Sequence, residues 1–186
     1  PLVYGAEFVT AYEAGLRGKI GRGIRYSIGG YMNRKQDTLV NYAVFAGTAA
    51  TNTVRNIGVL ASAGDSWQNG IDGEFSARTA VGRGNVTLRL SFSWAQGEYD
   101  GGFVYSNAQA NPSTTLTTVS IDGKKLQRLR EWTTATSLIW RAPVGAGVDL
   151  VSMVSWRSET GGFEDPQNVN RMDDVNLMDA SLGIEN

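Results

Sequence analysis

The chain has 186 residues and a formal net charge of −1, from 17 Lys and Arg against 18 Asp and Glu. This balance gives no basic footprint for nucleic acid, and the absence of Cys and His excludes disulfides, thiolate nucleophiles, His-dependent catalytic triads and the common zinc sites. No run of residues approaches the ~18 consecutive apolar residues of a transmembrane helix.

Alternating apolar and polar residues predict β-strands, because successive side chains of a strand point to opposite faces. The alternation falls into three hairpins closed by glycine-bearing turns, followed by one further strand. The predicted strands cover residues 12–17, 24–32, 70–78, 86–94, 134–141, 148–156 and 175–184.

The segments that join these hairpins are of a different kind. Residues from about 43 to 55, 100 to 127 and 161 to 174 are rich in Gly, Asn, Asp, Ser and Thr, which is typical of long loops. We therefore expect an all-β fold, an antiparallel up-and-down meander of about seven strands with tight turns at one end and long loops at the other. Large outer-membrane barrels are built in this way.

The two faces of these strands differ in character. Charges at regular intervals would be costly in a dry core, whereas a hydrated barrel lumen accommodates them. We expect these residues to face the lumen: Glu13, Arg17, Arg25, Asp72, Glu74 and Arg89. The same face is predicted to hold Arg78, Arg141, Asp149 and Arg157. We expect these residues to face lipid: Leu88, Leu90, Phe92, Trp94, Leu150, Val154 and Trp156.

Aromatic residues occur near the ends of the predicted strands. Trp94, Tyr99, Trp132 and Trp156 lie near the long loops, and Trp140 lies near a tight turn. A membrane barrel places aromatic girdles at these levels. The alternative is that the tryptophans form ordinary core or cross-strand packing.

Four stretches carry a family resemblance. Residues 10–18, Thr-Ala-Tyr-Glu-Ala-Gly-Leu-Arg-Gly, resemble the recurring Tyr-Glu-x-Gly-Leu-Lys strand of the TonB-dependent receptors of the Gram-negative outer membrane. Residues 62–75 resemble the Asn-Ala-Gly…Gly-Val-Glu-x-Glu strand of that family, with Ser62 in place of Asn and Asp72 in place of the first Glu. Residues 123–160 look like the next hairpin and 179–184 like the strand after it.

The resemblance implies that residues 1–186 are a partial receptor barrel, with about seven strands of a plugged, 22-stranded transporter. The plug, its TonB-contacting box and the closing strand are expected to lie outside this sequence. The implied function is TonB-energised uptake of a scarce nutrient, such as a siderophore-iron complex, cobalamin or an oligosaccharide. The implied partners are the TonB complex, outer-membrane lipid and the small-molecule nutrient, with no nucleic acid, no cofactor and no enzymatic activity.

The long loops hold the candidate ligand contacts. Tyr99, Phe103 and Tyr105 could stack on a sugar ring or a siderophore aromatic group, and an ordinary surface loop with aromatic anchors is the alternative. Carboxylates of the last loop could offer oxygen ligands to Ca²⁺, but their spacing matches no defined site, so we predict no metal. These are Glu164, Asp165, Asp173 and Asp174.

Two other classes of protein share the strand pattern. A soluble all-β carbohydrate-binding or adhesive domain would turn its apolar residues inward against a second sheet. A diffusion porin would share the barrel wall but have no plug. The direction in which the apolar face points distinguishes the first alternative from a barrel.

Overall fold

The computed structural model describes residues 6–48, 53–106 and 117–185, with only the backbone described for 43–48, 53–57, 105 and 106. The described residues form thirteen β-strands and no helix. They therefore contain no helix with the length and hydropathy that are needed to span a bilayer. The strands are β1 (Phe8–Ile20), β2 (Ile24–Gln36), β3 (Leu39–Thr48), β4 (Thr53–Ser62), β5 (Asp65–Val81), β6 (Gly84–Asp100), β7 (Phe103–Ser106), β8 (Thr117–Ser120), β9 (Trp132–Gly145), β10 (Val148–Glu159), β11 (Gly162–Phe163), β12 (Arg171–Met172) and β13 (Val175–Glu185).

Seven of the strands form one antiparallel sheet in the order β1-β2-β5-β6-β9-β10-β13. Each strand therefore pairs with the next sheet strand along the chain, which confirms the predicted seven-stranded meander. These strands are long, from 11 residues in β13 to 17 in β5 and β6. The sheet does not close, so β1 and β13 are its edges.

Tight turns join three pairs of sheet strands at one end of the sheet. In the β5–β6 hairpin, Val81 pairs with Gly84, which leaves only Gly82 and Arg83 in the turn. Gly82 has φ +59°, a conformation that glycine adopts without steric cost and that two-residue hairpins require at the first turn position. The strands thus continue further into the predicted turns than the sequence pattern indicated.

The opposite end of the sheet carries the long connections, and here the prediction of plain loops is wrong in part. Residues 43–55 belong largely to the β3–β4 hairpin, and the other two connections contain the short pairs β7–β8 and β11–β12. The polar composition of 47–53 obscured the apolar alternation that begins at Val40 and Tyr42. Each of these hairpins forms its own two-stranded sheet.

The hydrophobic core of the described residues lies at the loop end, where Tyr99 is the member contributed by the large sheet. It is a small cluster that draws on β3, β6, β7 and the connections around them. Its members are Val40, Tyr42, Ala63, Tyr99, Val104 and Ile121, with Val59, Ala61 and Leu126 packed against them. Within the described ranges, no second layer of structure covers either face of the seven-stranded sheet between this cluster and the tight turns.

Candidate functional site

Strand register assigns every side chain of the sheet to one of two faces, because directly opposed residues in an antiparallel pair project to the same side. One row of opposed residues crosses all seven strands as Ile20, Ile24, Ala77, Leu88, Leu138, Val154 and Ala180. The adjacent row, on the other side, reads Lys19, Arg25, Ser76, Arg89, Ser137, Ser155 and Asp179. We call the two sides the apolar face and the polar face.

The apolar face is open to its surroundings over the whole sheet. Even on the central strands, Leu138 is 48% exposed and Leu90 is 36% exposed, and on the edge strand β13 Leu182 reaches 73%. Six inter-strand spacings give the sheet a width of about 29 Å. An apolar surface that spans all seven strands exceeds the patches of a few hundred Å² that soluble monomers usually expose.

Charge is absent from a broad band of the apolar face. From the level of Trp94 and Trp132 to the tight turns, no Asp, Glu, Lys or Arg of the described sheet projects from this face. The four charged residues that do project from it lie beyond that level, on the side of the loops. They are Arg34, Asp65, Glu98 and Asp100.

Tryptophans mark both limits of this band. At the loop side, the rings of Trp94 and Trp132 are in contact across the β6–β9 pair, with centroids 6.3 Å apart. Trp140 lies eight residues further along β9, close to a tight turn, which is about 27 Å along the strand. At the 35–45° strand tilt of membrane barrels this span becomes roughly 20 Å, close to their apolar band of about 25 Å.

The register keeps the two predicted sets of residues apart. All seven residues expected to face lipid lie on the apolar face, and all ten expected to face the lumen lie on the polar face. That the faces meet lipid and a lumen stays a prediction. The girdle prediction is wrong for two residues. Tyr99 pairs with Ser66 on the polar face, because it lies five positions from Trp94 and an odd step reverses the face. Trp156 pairs with Thr136 at the level of Leu90, midway between the levels of Trp132 and Trp140.

A groove of about 1180 Å³ crosses all seven strands on the polar face. Its charged side chains include the predicted Arg17, Arg25, Glu74 and Arg89. It also contains Lys19, Asp179 and Arg157. Sequence reasoning assigned Lys19 to a turn and so missed it, although it follows Arg17 by two residues and continues the alternation.

The connections at the loop end are joined to one another in what we call the loop cap, which comprises the β3–β4 hairpin and residues 99–104, 121–131 and 160–174. Gln127 connects three of these segments. Its Nε2 donates to the backbone oxygen of Asn41 at 2.9 Å and to that of Glu164 at 2.6 Å, and its backbone N–H donates to the hydroxyl of Tyr99 at 3.3 Å.

The segment 160–174 is shaped by two polar side chains. The carboxylate of Asp165 accepts hydrogen bonds from the backbone N–H groups of Gln167, Val169 and Asn170 at 2.9, 3.2 and 2.6 Å. Asn168, with φ +59°, exchanges two hydrogen bonds with the backbone of Lys125, at 2.8 and 2.9 Å. Asp165 therefore folds its own loop, and Asn168 attaches that loop to its neighbour.

An ion pair fixes the base of the loop cap. Arg130 Nε lies 3.0 Å from Glu159 Oε2, and both side chains are largely shielded from solvent. Arg130 also donates to the backbone oxygen of Thr160 at 2.7 Å and to that of Asp173 at 3.2 Å. Because an ion pair with little access to water is weakly screened, this contact holds the two loops in one relative position.

The three predicted ligand contacts have different surroundings. Tyr99 is only 3% exposed inside the core of the loop cap, so its ring packs against protein and offers no stacking surface. Burial raises the pKa of its hydroxyl above the usual value, and the hydrogen bond from Gln127 opposes this shift only in part. Phe103 is 55% exposed, and the side chain of Tyr105 lies outside the described residues.

A pocket of about 560 Å³ lies between the loops 121–131 and 160–174. Its wall combines Phe163 and three glycines with charged groups of both signs. The charged residues are Glu98, Lys125, Glu131, Arg171, Asp173 and Asp174. An aromatic ring among hydrogen-bonding groups suits a polar organic ligand. Sequence reasoning did not identify this pocket, because it forms between two loops and no local sequence pattern indicates that these loops pack together.

In the parts of the chain that the structure describes, no three carboxylates converge in a way that could hold a metal ion. The fold itself defines the class of protein, an all-β chain built on an open antiparallel sheet with two unlike faces. Comparison with known protein families, curated proteins and solved structures finds no match for the chain.

Proposed function

We propose that the chain forms part of the wall of a large transmembrane β-barrel in the outer membrane of a Gram-negative cell. The observation that carries the proposal is the exposed, uncharged apolar face between the tryptophan levels of Trp132 and Trp140. Lipid is the environment in which such a surface is stable, because apolar side chains leave water and no charge enters hydrocarbon.

The backbone of the sheet supports the same proposal. In hydrocarbon every N–H and C=O must have a partner, and the five inner strands satisfy this condition by pairing on both sides. The edge strands β1 and β13 then need further strands, so the complete barrel has more than seven. The 22-stranded size follows from the resemblance to TonB-dependent receptors and belongs to this proposal.

We assign the barrel to a TonB-energised receptor that imports a scarce nutrient, of the siderophore-iron, cobalamin or oligosaccharide kind. The resemblances at residues 10–18 and 62–75 support the family, and the polar face supplies a hydrated wall for the lumen. The loop cap lies at the end where such receptors carry extracellular loops, and its pocket is suited to polar ligands. In this proposal the wall carries out no catalysis and holds no cofactor.

Site-directed spin labelling in bilayers tests the membrane assignment. Single labels at positions 86 to 94 of the full-length protein, which includes the strands that complete the barrel, are measured for collision with oxygen, which dissolves in lipid, and with a water-soluble quencher. We expect even positions to favour oxygen and odd positions the quencher, because Leu88 and Leu90 share the apolar face while Arg89 and Ser91 share the polar face. The same labels in urea-unfolded chain, which should show no alternation, are the control.

Two results would contradict the assignment. If both sets of labels are shielded from oxygen, the apolar face is covered by protein, as in a soluble all-β carbohydrate-binding or adhesive domain. If the full-length protein, with the strands that complete the barrel, never enters bilayers, the wall proposal fails in the same way. Either result would require a second layer over Leu138 and Val154, which the described residues do not contain.

Uptake measurements test the transport assignment separately. Cells producing the receptor are given a radiolabelled ferric catecholate, cyanocobalamin or maltoheptaose, with and without a protonophore. We expect one probe to accumulate only while the proton gradient is intact. Accumulation that is insensitive to the protonophore would identify a diffusion porin, and accumulation of none of the three would contradict all the proposed nutrient classes.

A further inference from the structure

One pocket of the loop cap combines ligand size with a wall drawn from three separate segments. It lies between the loops 121–131 and 160–174, beside residues 95–98 at the loop end of β6. We call it the loop-cap pocket. Its volume of about 560 Å³ falls within the ~300–1,000 Å³ of ordinary small-molecule clefts. The space is therefore of the size in which proteins enclose small organic ligands.

The wall of the loop-cap pocket is ordered by contacts that need no ligand. Arg130 donates hydrogen bonds to the backbone oxygens of Thr160 and Asp173. The carboxylate of Asp174 accepts a hydrogen bond from the backbone N–H of Gly161. Because the two loops are already held in place, a ligand that enters loses little free energy to the ordering of the protein.

Four side chains of this wall form no hydrogen bond or ion pair with other residues in the ranges that the structure describes. They are those of Gln96, Glu98, Arg171 and Asp173. Lys125 forms an isolated bridge with Glu98 through the backbone, but its Nζ pairs with Glu131 at 3.4 Å. Glu98 is half-buried, so its carboxylate has lost part of its hydration without gaining a protein partner. A donor on a ligand would supply that partner.

The free groups of the wall include both donors and acceptors. The carboxylates of Glu98 and Asp173 only accept hydrogen bonds, whereas the guanidinium of Arg171 only donates them. The amide of Gln96 does both. A ligand of either net charge would meet like charge in this wall, but a neutral hydroxyl group serves donors and acceptors alike. The wall therefore favours a neutral ligand with several hydroxyl groups.

Apolar side chains form another part of the wall. Phe163, Leu129 and Met172 line the pocket, and the guanidinium carbon of Arg171 lies 5.8 Å from the centroid of the Phe163 ring. An aromatic surface thus adjoins a set of hydrogen-bond donors. A sugar ring has the same division, since its C–H groups form an apolar surface and its hydroxyls project around the rim.

We propose that the loop-cap pocket binds a neutral oligosaccharide, with sugar hydroxyls on Glu98, Asp173 and Arg171 and a sugar C–H surface against Phe163. Of the three nutrient classes, a ferric catecholate is anionic and meets the unpaired carboxylates, and cobalamin is too bulky for the space. The inference rests on the proposed function for the role of the sugar as an imported nutrient. Sugar binding itself depends only on the pocket.

Isothermal titration calorimetry of the full-length protein tests this inference. The protein is held in a polyoxyethylene detergent, which has no sugar headgroup. The probes are maltoheptaose, cellohexaose, xylohexaose and laminarihexaose, and the charged comparison is the ferric complex of 2,3-dihydroxybenzoate. We expect at least one of the four sugars to bind with a Kd of about 1 mM or tighter, and the ferric complex to bind at least about tenfold more weakly.

Variants locate the binding. Asp173→Asn and Glu98→Gln should each weaken it about tenfold, because a charged acceptor is replaced by a neutral one of the same shape. Phe163→Ala should weaken it by a similar factor, because the aromatic contact is lost. Asp100→Asn at the end of β6 and Phe8→Ala on β1 lie outside the pocket and are the matched controls, so both should leave binding unchanged. Circular dichroism confirms that each variant has formed its strands.

Three results would overturn the inference. Binding of none of the four sugars would exclude the proposed class. Sugar binding that is unchanged in all three pocket variants would place the sugar elsewhere. Tighter binding of the ferric complex, lost in the pocket variants, would assign the pocket to an anionic ligand.

The spin labels at 86–94 separate these failures from failure of the proposed function. If the labels alternate and another nutrient is taken up with the proton gradient, the receptor stands and only the sugar assignment is wrong. If a sugar binds in the pocket but the labels are shielded from oxygen, the sugar site stands and the membrane wall is wrong.

Discussion

Leu90 and Ser91 are neighbours in β6 that face opposite surroundings. Leu90 lies on the apolar face in a row with Phe75 and Thr136, while Ser91 lies on the polar face beside Glu74. The same substitution at these two positions therefore has two different consequences. An Arg at position 90 would place a charge toward the proposed hydrocarbon. An Arg at position 91 would add a charge to the polar face, which already carries many.

We expect Leu90→Arg to lower the free energy of unfolding in lipid vesicles by about 2–4 kcal/mol, the range for Arg near the bilayer midplane on a barrel exterior. Ser91→Arg should change it by less than about 1 kcal/mol, because a solvated charge loses little of its hydration. Urea titration monitored by tryptophan fluorescence measures both variants. Equal effects at the two positions would contradict the assignment of faces.

Tyr99 gives a pH-dependent prediction outside the apolar band, since it lies five residues beyond Trp94 toward the loops. Its pKa is raised by burial, so the folded chain keeps the phenol proton at pH values where the unfolded chain has lost it. The folded state then binds more protons than the unfolded state, and the stability contributed by the neutral hydroxyl is complete below about pH 10 and lost above it.

Comparison of the chain with Tyr99→Phe checks this expectation. In an alkaline titration of tyrosinate absorbance, the folded chain should show one phenol that ionises above the usual range, and Tyr99→Phe should lack that component. Removing the hydroxyl also removes the acceptor for the Gln127 N–H, so the variant should be slightly less stable at neutral pH. A titration curve unchanged by the substitution would contradict the raised pKa.

At the scale of the strand, aromatic rings cover glycines on the neighbouring strand. The ring of Phe92 lies over Gly73 on the apolar face, and that of Tyr31 lies over Gly70 on the polar face, where its hydroxyl accepts a hydrogen bond from Gln68 at 3.1 Å. A Cβ at either glycine would collide with the ring. These pairs fix the register of β5 with both of its neighbours by shape, in addition to the backbone hydrogen bonds.

Gly73→Ala should therefore displace the Phe92 ring and destabilise the sheet by about 1–3 kcal/mol, the usual effect of overpacking. Gly183→Ala is the matched control, because the structure leaves open space where its Cβ would lie and its φ is not positive. That substitution should be neutral or stabilise β13 by about 0.5–1 kcal/mol. The midpoints of urea unfolding compare the two, and a similar loss in both would contradict the role of Phe92.

The elements that the sequence pattern predicted well are those whose structure depends on local alternation. All seven sheet strands fall where residues such as Leu88, Leu90 and Phe92 recur at every second position. The pattern was least informative in the connections. Polar residues around the β3–β4 turn resemble those of any loop. β7 and β8 are separated in the sequence, so the alternation within either short strand does not indicate that the two strands pair.

At the scale of the whole molecule, the division into two faces could be predicted from the sequence and the loop cap could not. The loop cap depends on contacts such as that between Gln127 and Asn41, which are 86 residues apart. No periodicity links these positions, and Gln127 has no feature that distinguishes it from other polar loop residues. For the same reason Tyr99 resembled an exposed aromatic anchor, although it is buried.

The strand register keeps each face of the seven-stranded sheet continuous from strand to strand, and the described residues contain one irregularity in this register. Beside the β9–β10 turn, Val148 pairs with Gly145 but Asp149 pairs with Pro143, so one extra residue is accommodated there as a bulge. A residue inserted in the middle of a strand would instead turn every later side chain of that strand to the wrong side. Tolerance of added or deleted codons should therefore be concentrated at the two ends of the sheet, and evolutionary variation in chain length should change the turns and loops while the strands keep their lengths.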